Sequence, residues 1–184
     1  MLCLCGQLPI RIGDSKAFKG KLRRLQKRTV RKNSNMNTLL TDEKDERFLR
    51  LVEELDKGYY ERIGDELRKY DAYNEFNKPH TVILILDSND AVGCASYRRL
   101  DERSVEFKRV YVKPEYRKKG IAYNLFRELE KKVIGEKFKY SYIVTGKNNL
   151  PAIRLYEMLD YIRTEKFGQF RVDENVVCMK KEFR

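Results

Sequence analysis

Arg117, Lys118, Lys119 and Gly120 stand together where a β-rich run, "VEFKRVYV" (105–112), passes Pro114 and turns helical at 119–134. A helix start leaves about four backbone N–H groups unpaired and carries roughly half a positive charge. Anions bind at such places. Gly120 lets the backbone approach a ligand closely, or adopt a conformation closed to other residues. Pro114 lacks an N–H and ends the strand. The ligand group best suited to this set is a diphosphate. The spacing is neither the GxxxxGK[ST] phosphate loop nor the GxGxxG dinucleotide turn. In isolation, basic residues at a helix start are more often a solvated face, so the neighbouring elements must decide.

Other reactive side chains are few. His80 is the single histidine, and it stands before a strand in "KPHTVIL", where a surface or capping role is expected. A histidine-based triad has little support. Cys3, Cys5, Cys94 and Cys178 form no CxxC pair, so no metal site is expected. Nor is a disulfide scaffold, which points to a reducing cytoplasm. Cys94 and Cys178 fall in apolar strands and read as buried thiols. Acid–base work is left to carboxylates and tyrosines.

The elements that position these residues follow from periodicity. "DEKDERFLRLVEELDKGYYERIG" places Phe48, Leu51, Val52 and Leu55 at helical spacing, with acids in its first turn. A second short helix is expected near Asp65–Asn74. "TVILILD" (81–87) is a run of β formers, expected to be a strand covered on both faces. Strands follow at 91–100 and 105–112, a helix at 119–134 and a strand at 140–146. "NNLPAIRLYEMLDY" is a helix with Pro151 in its first turn. A short strand near 162–166 and a last one within "ENVVCMKKEF" complete the order α-α-β-β-β-α-β-α-β-β.

The net charge of +12 over 184 residues suggests nucleic acid until it is located. Residues 1–35 hold ten Lys or Arg against one acid, Asp14, and the remainder is nearly balanced. This divides the chain into a basic N-terminal arm or extension, 1–35, and a nearly neutral domain, 36–184. Met36 reads as a natural start. Nucleic-acid binding is expected, if at all, only through the arm. No run of about 18 apolar residues exists, so no membrane span is expected.

With these neighbours, the junction resembles motif A of the GNAT superfamily of N-acetyltransferases, R/Q-x-x-G-x-G/A after a strand, matched by Arg117, Gly120 and Ala122. "NNLPAIRLYEMLDY" is similar to the family's N-x-x-A-I-x-L-Y-E-x-x-G-F through Asn149, Ala152, Ile153, Leu155, Tyr156 and Glu157, with Tyr161 in the aromatic place. "VGCA", "TG" and "FGQF" resemble a bacterial branch mostly without assigned substrates. The likeness spans about 44–184. It implies the GNAT acyl-CoA N-acyltransferase fold, α/β, with a mixed, mostly antiparallel sheet of six or seven strands and helices on both faces.

The resemblance also implies acetyl-CoA as co-substrate. Its pyrophosphate would meet Arg117, Lys118, Lys119, Gly120, Ile121 and Ala122. Its pantetheine would lie along Val110, Tyr111 and Val112, with Asn149, Ala152 and Tyr156 beside it. Tyr156 would protonate the leaving thiolate. Glu106 is the base candidate, acting through water on an amine whose pKa is about 10. A second glycine is common where Lys118 stands, so some backbone freedom is lost there, and Asp160 replaces a usual glycine after the helix, where the cap is expected to be strained. The expected reaction is acetyl transfer to a small-molecule primary amine in a ternary complex. Alternatives are a protein lysine or N-terminal acetyltransferase, or a non-catalytic acyl-CoA-binding module. The helices at 44–75, with Tyr59, Tyr60, Tyr73 and Asn74, and the final strands would build the acceptor side. A homodimer is left open.

Overall fold

The computed structural model describes residues 36–184. The basic arm lies outside the described residues. A seven-stranded sheet runs in the order β1-β2-β3-β4-β5-β7-β6. Its strands are β1 (Met36–Asp42), β2 (Thr81–Asp87), β3 (Asp90–Arg99), β4 (Ser104–Val112), β5 (Tyr140–Gly146), β6 (Ile162–Arg163) and β7 (Val176–Glu182). All neighbours pair antiparallel except β4 and β5. The helices are α1 (Glu46–Ile63), the single turn α2 (Asp71–Asn74), α3 (Ile121–Gly135) and α4 (Leu150–Met158).

β1 was not expected from the sequence. "MNTLLTD" pairs along its whole length with β2, from Met36 opposite Asp87 to Asp42 opposite Thr81. It is an edge strand with no buried residue, so it has no apolar alternation to betray it. The segment expected as a second helix is mostly a tight 3₁₀ run, Gly64–Tyr70, closed by the one turn of α2.

α1 starts at Asp45, whose carboxylate accepts from Arg47 N at 2.9 Å. It buries Phe48, Leu51, Val52 and Leu55. Phe48, Leu51 and Val52 pack with Val82, Leu84 and Cys94 on one face of the sheet. Alternate residues of the same strands, Ile83, Ile85, Val92 and Ala95, turn to the opposite face. There α3 adds Leu125, Phe126, Leu129 and Val133, and α4 adds Ile153 and Tyr156. Burying each large apolar side chain contributes about 1.5–3 kcal/mol. β2 is thus covered on both faces, as its unbroken apolar run requires.

Two features of the sheet position the site. First, β4 and β5 pair only from Ser104–Tyr140 to Phe107–Ile143. Beyond Phe107, β4 stays paired to β3, and β5 beyond Ile143 stays paired to β7, so the sheet splits between them. Second, β4 carries a bulge. Two steps on β3, Cys94 to Ser96, oppose three on β4, Tyr111 to Lys108. The extra residue is taken up at Arg109, whose φ is +55°.

Candidate active site

The split opens into a cavity of about 180 Å³. Glu106, Phe107, Lys108, Arg109 and Val110 line it from β4, and Ile143, Val144, Thr145 and Gly146 line it from β5. Asp56 and Tyr59 of α1, Tyr70, Tyr73 and Asn74 beyond it, Tyr156 of α4, and Phe170 close the rest. Tyr59, Tyr73 and Asn74 stand where the sequence suggested. Tyr60 does not: it is half exposed, and its hydroxyl reaches Asp65 at 3.4 Å instead. On α1, Tyr60 turns away from the side of the helix that Tyr59 presents to the cavity.

Tyr156 is buried, with its ring 5.3 Å from that of Phe126 and 6.2 Å from that of Tyr161. Burial raises its pKa well above the usual tyrosine range, and nearby Tyr59 adds to this. The phenol is therefore a proton carrier at any working pH. Tyr59 is also raised by burial, while Arg62, lying 4.7 Å over its ring, opposes the rise. Asn149 lies at the start of α4 and donates to Thr145 Oγ1 at 3.2 Å, and its amide side chain also works against the rise in the Tyr59 pKa. Ala152 is half-buried against the core.

Glu106 is buried rather than at the surface. Its Oε2 accepts from Arg98 Nε at 2.8 Å, and Oε1 lies 3.8 Å from Lys108 Nζ. Lys108 Nζ donates to the Tyr73 carbonyl at 2.7 Å. Burial lowers its pKa to about 8, although Glu106 opposes the fall. Arg109 Nη1 donates to Asp56 at 2.6 Å and Nη2 to the Asn74 carbonyl at 2.6 Å. The sequence reading missed both cations as site residues. Strand alternation assigns neighbours to opposite faces, whereas the bulge sends Lys108 and Arg109 to the same one.

The start of α3 lies beyond this cavity's lining. Gly120 caps it at φ +81°, and no side chain caps the first turn. A Cβ on Gly120 would meet only open space, so the glycine is required for its dihedral angle. Lys118 is also left-handed, at φ +61°. Lys118 stands where the family often has a second glycine, and the structure supplies the reason. Asp160 behaves likewise after α4, at φ +67°.

Arg117 Nε donates to the Val112 carbonyl at 2.9 Å, and its guanidinium lies 5.7 Å from the Tyr111 ring centre. Lys119 Nζ lies 4.8 Å over the Tyr116 ring. Ile121 is buried, so only its backbone faces outward, while Ala122 is half-buried. The open first turn, two left-handed residues and exposed cations form a cradle suited to a diphosphate.

His80 departs from its expected surface place. It is 3% exposed, its Nδ1 is 3.1 Å from Ser96 Oγ, and its Nε2 has no partner among the described residues. Burial, reinforced by Lys108 and Arg98, lowers its pKa to about 4. Cys94 and Cys178 are buried thiols, as expected; Cys94 donates to the Arg109 carbonyl at 3.3 Å. Burial raises both thiol pKa values, so neither serves as a ready nucleophile. Among the described residues, no group of three metal-ligating side chains assembles, and no helix is long and apolar enough to cross a membrane.

Residues 48–161 match the model of the acetyltransferase (GNAT) family. The chain belongs to the GNAT family. As a GNAT protein it is an N-acetyltransferase. It is similar to an uncharacterized N-acetyltransferase of Schizosaccharomyces pombe, at 30% identity over 128 residues, 67% of this chain and 76% of that protein.

The fold is shared with solved structures. An acetyltransferase from Streptococcus agalactiae aligns with a TM-score of 0.65 at 14% identity, over 82% of this chain and 99% of that one. A GNAT family acetyltransferase from Elizabethkingia anophelis with acetyl-CoA bound gives 0.60 at 15%, over 82% and 99%. The Campylobacter jejuni N-acetyltransferase PseH in complex with acetyl coenzyme A gives 0.54 at 17%, over 79% and 99%. The GNAT architecture expected from the sequence is therefore present: a seven-stranded, mostly antiparallel sheet between helices.

Proposed function

We propose that this GNAT enzyme transfers the acetyl group of acetyl-CoA to the primary amine of a small acceptor by direct attack in a ternary complex. The observation that carries this reading is the split between β4 and β5. It opens an unpaired strand edge toward a cavity that holds a buried carboxylate and a buried phenol. The acetyl-CoA bound in the Elizabethkingia and Campylobacter neighbours supports the donor.

In this reading the cradle of Arg117, Lys118, Lys119, Gly120, Ile121 and Ala122 holds the pyrophosphate. Val110, Tyr111 and Val112 offer backbone to the pantetheine, and Asn149 and Ala152 flank it. Glu106 Oε1, the oxygen not taken by Arg98, draws a proton from the acceptor amine, directly or through water. The amine nitrogen bonds to the acetyl carbon, and the carbon–sulfur bond breaks. The thiolate leaves with the proton of Tyr156, which burial keeps in place until that moment. Each proton transfer is worth typically 10²–10⁴-fold. A pocket of about 180 Å³ lined by polar and aromatic side chains suits a small amine. Residues 36–184 are the catalytic unit in this proposal, and the arm 1–35 is dispensable for the reaction.

The test is thiol release from acetyl-CoA with a panel of amino acids, polyamines, aminoglycosides and lysine peptides, with Tyr156→Phe run in parallel. Turnover with a small amine, reduced at least about 100-fold in the variant, is the expected result. Acetyl-CoA binding without release for any amine would point to a non-catalytic acyl-CoA module.

A further inference from the structure

Asp56, Glu106, Lys108 and Arg109 line the cavity as two acids and two cations, and Arg98, behind Glu106 and outside the lining, adds a third cation. Asp56 is matched by Arg109 at 2.6 Å, and Glu106 by Arg98 at 2.8 Å. Among the described residues, Lys108 is the cation most loosely paired. Its contact with Glu106 Oε1 is 3.8 Å long, beyond hydrogen-bond distance, and its one hydrogen bond among these residues runs to a neutral carbonyl. Arg109 is also incompletely served. Its side chain is 7% exposed, and its Nε is buried without an acceptor among the described residues. Three cations thus share two carboxylates at the place where an acceptor amine, itself a cation in water, must arrive.

A bare alkyl ammonium entering this site meets net positive charge beside buried side chains, where like charges repel more strongly than in water. An acceptor that brings its own anion removes the conflict. Its carboxylate would supply Lys108 with the missing acceptor and sit beside Arg109. The ionised carboxylate makes the stronger, charge-assisted kind of hydrogen bond. Tyr59, Tyr73 and Phe170 form an aromatic wall for an apolar remainder.

We propose, building on the acetyl-transfer reading above, that the acceptor is a small amino-carboxylate, of which apolar and aromatic α-amino acids are the simplest, held through its carboxylate by Lys108 with Arg109 adjoining. Glu106 and Tyr156 keep the roles assigned above, so Lys108 determines specificity rather than chemistry.

The experiment compares kcat/KM for tyrosine, tyrosinamide and tyramine, then for phenylalanine and leucine against their amides and decarboxylated amines. The amides matter because their amines lose a proton more readily than those of the acids. A preference for the acid therefore cannot come from amine basicity. The wild-type chain is expected to prefer the acids at least about 100-fold over both partners, since a site built around a polar group rejects ligands that lack it. Lys108→Met should compress that ratio to within about tenfold, and Lys108→Arg should retain most of it.

Wild-type preference for tyramine or tyrosinamide overturns the proposal, as does an unchanged ratio in Lys108→Met. If that variant does not fold, the wild-type ratios decide alone. Acetyl-CoA binding without acetylation of any of these amines overturns the acceptor assignment and leaves the donor site standing. Absence of acetyl-CoA binding overturns the donor reading beneath it.

Discussion

Arg98 and Glu106 face each other directly across β3 and β4, with Arg98 Nε 2.8 Å from Glu106 Oε2. The pair fixes one oxygen of the carboxylate and leaves the other toward Lys108 and the cavity. Glu106→Gln keeps the shape and loses the charge. It is expected to lower kcat by about 10²–10⁴-fold with acetyl-CoA affinity unchanged, read by thiol release and calorimetry. It also leaves the mostly buried Arg98 without its counter-charge, which should lower stability in denaturant unfolding. Adding Arg98→Met should recover part of that stability and none of the rate. Recovery of the rate would remove Glu106 from the chemistry.

Gly93 sets the distance between β3 and the start of α3. A Cβ there would stand 3.1 Å from the Tyr111 carbonyl oxygen and 3.2 Å from Ile121 Cγ2. The oxygen is backbone of β4 and cannot swing aside. Gly93→Ala should destabilise the fold by about 1–3 kcal/mol. It should also weaken acetyl-CoA binding, by displacing the helix start. Affinity unchanged at full loss of stability would separate the cradle from this contact.

Lys118 holds a left-handed conformation that costs a non-glycine residue roughly 1–2 kcal/mol. Lys118→Gly should raise the melting temperature by about 2–4 °C. It removes one cation from the cradle, so acetyl-CoA affinity should become less dependent on salt. A fall in melting temperature would mean that the Lys118 side chain contributes more than its backbone costs.

His80 makes stability depend on pH. Its pKa is about 4 in the folded chain and about 6.5 when exposed, so between these values the unfolded chain binds a proton that the folded chain refuses. Stability from neutral His80 is complete above about pH 6.5 and falls as pH drops toward 4. His80→Gln should flatten that part of the melting-temperature profile relative to wild type. Parallel profiles would assign the acid sensitivity to the carboxylates alone.

The sequence made the fold legible where local pattern decides. β5 runs from Tyr140 to Gly146, as its residues indicate, and Gly120, Lys118 and Asp160 carry the dihedral angles their positions demanded. What stayed hidden depends on contacts between distant segments. β1 is a strand because β2 offers it an edge, and none of its own residues is fully buried. His80 is interior because Phe76 and Ser96 enclose it, with the Phe76 ring 5.0 Å away in edge-on contact. Lys108 and Arg109 join the site because one extra residue in β4 shifts the alternation. That residue can be seen only against the register of β3.

The short ladder between β4 and β5 has a mechanical meaning. Four residue pairs join two plates, one running from β1 to β4 and the other from β5 to β6 through β7. Slow amide exchange should therefore divide at this seam, with each plate opening as its own unit. A thioester lying in the gap and bonding to both strand edges would act as a rivet. Donor binding should then register as protection of backbone amides on both sides of the seam, far beyond the residues it touches.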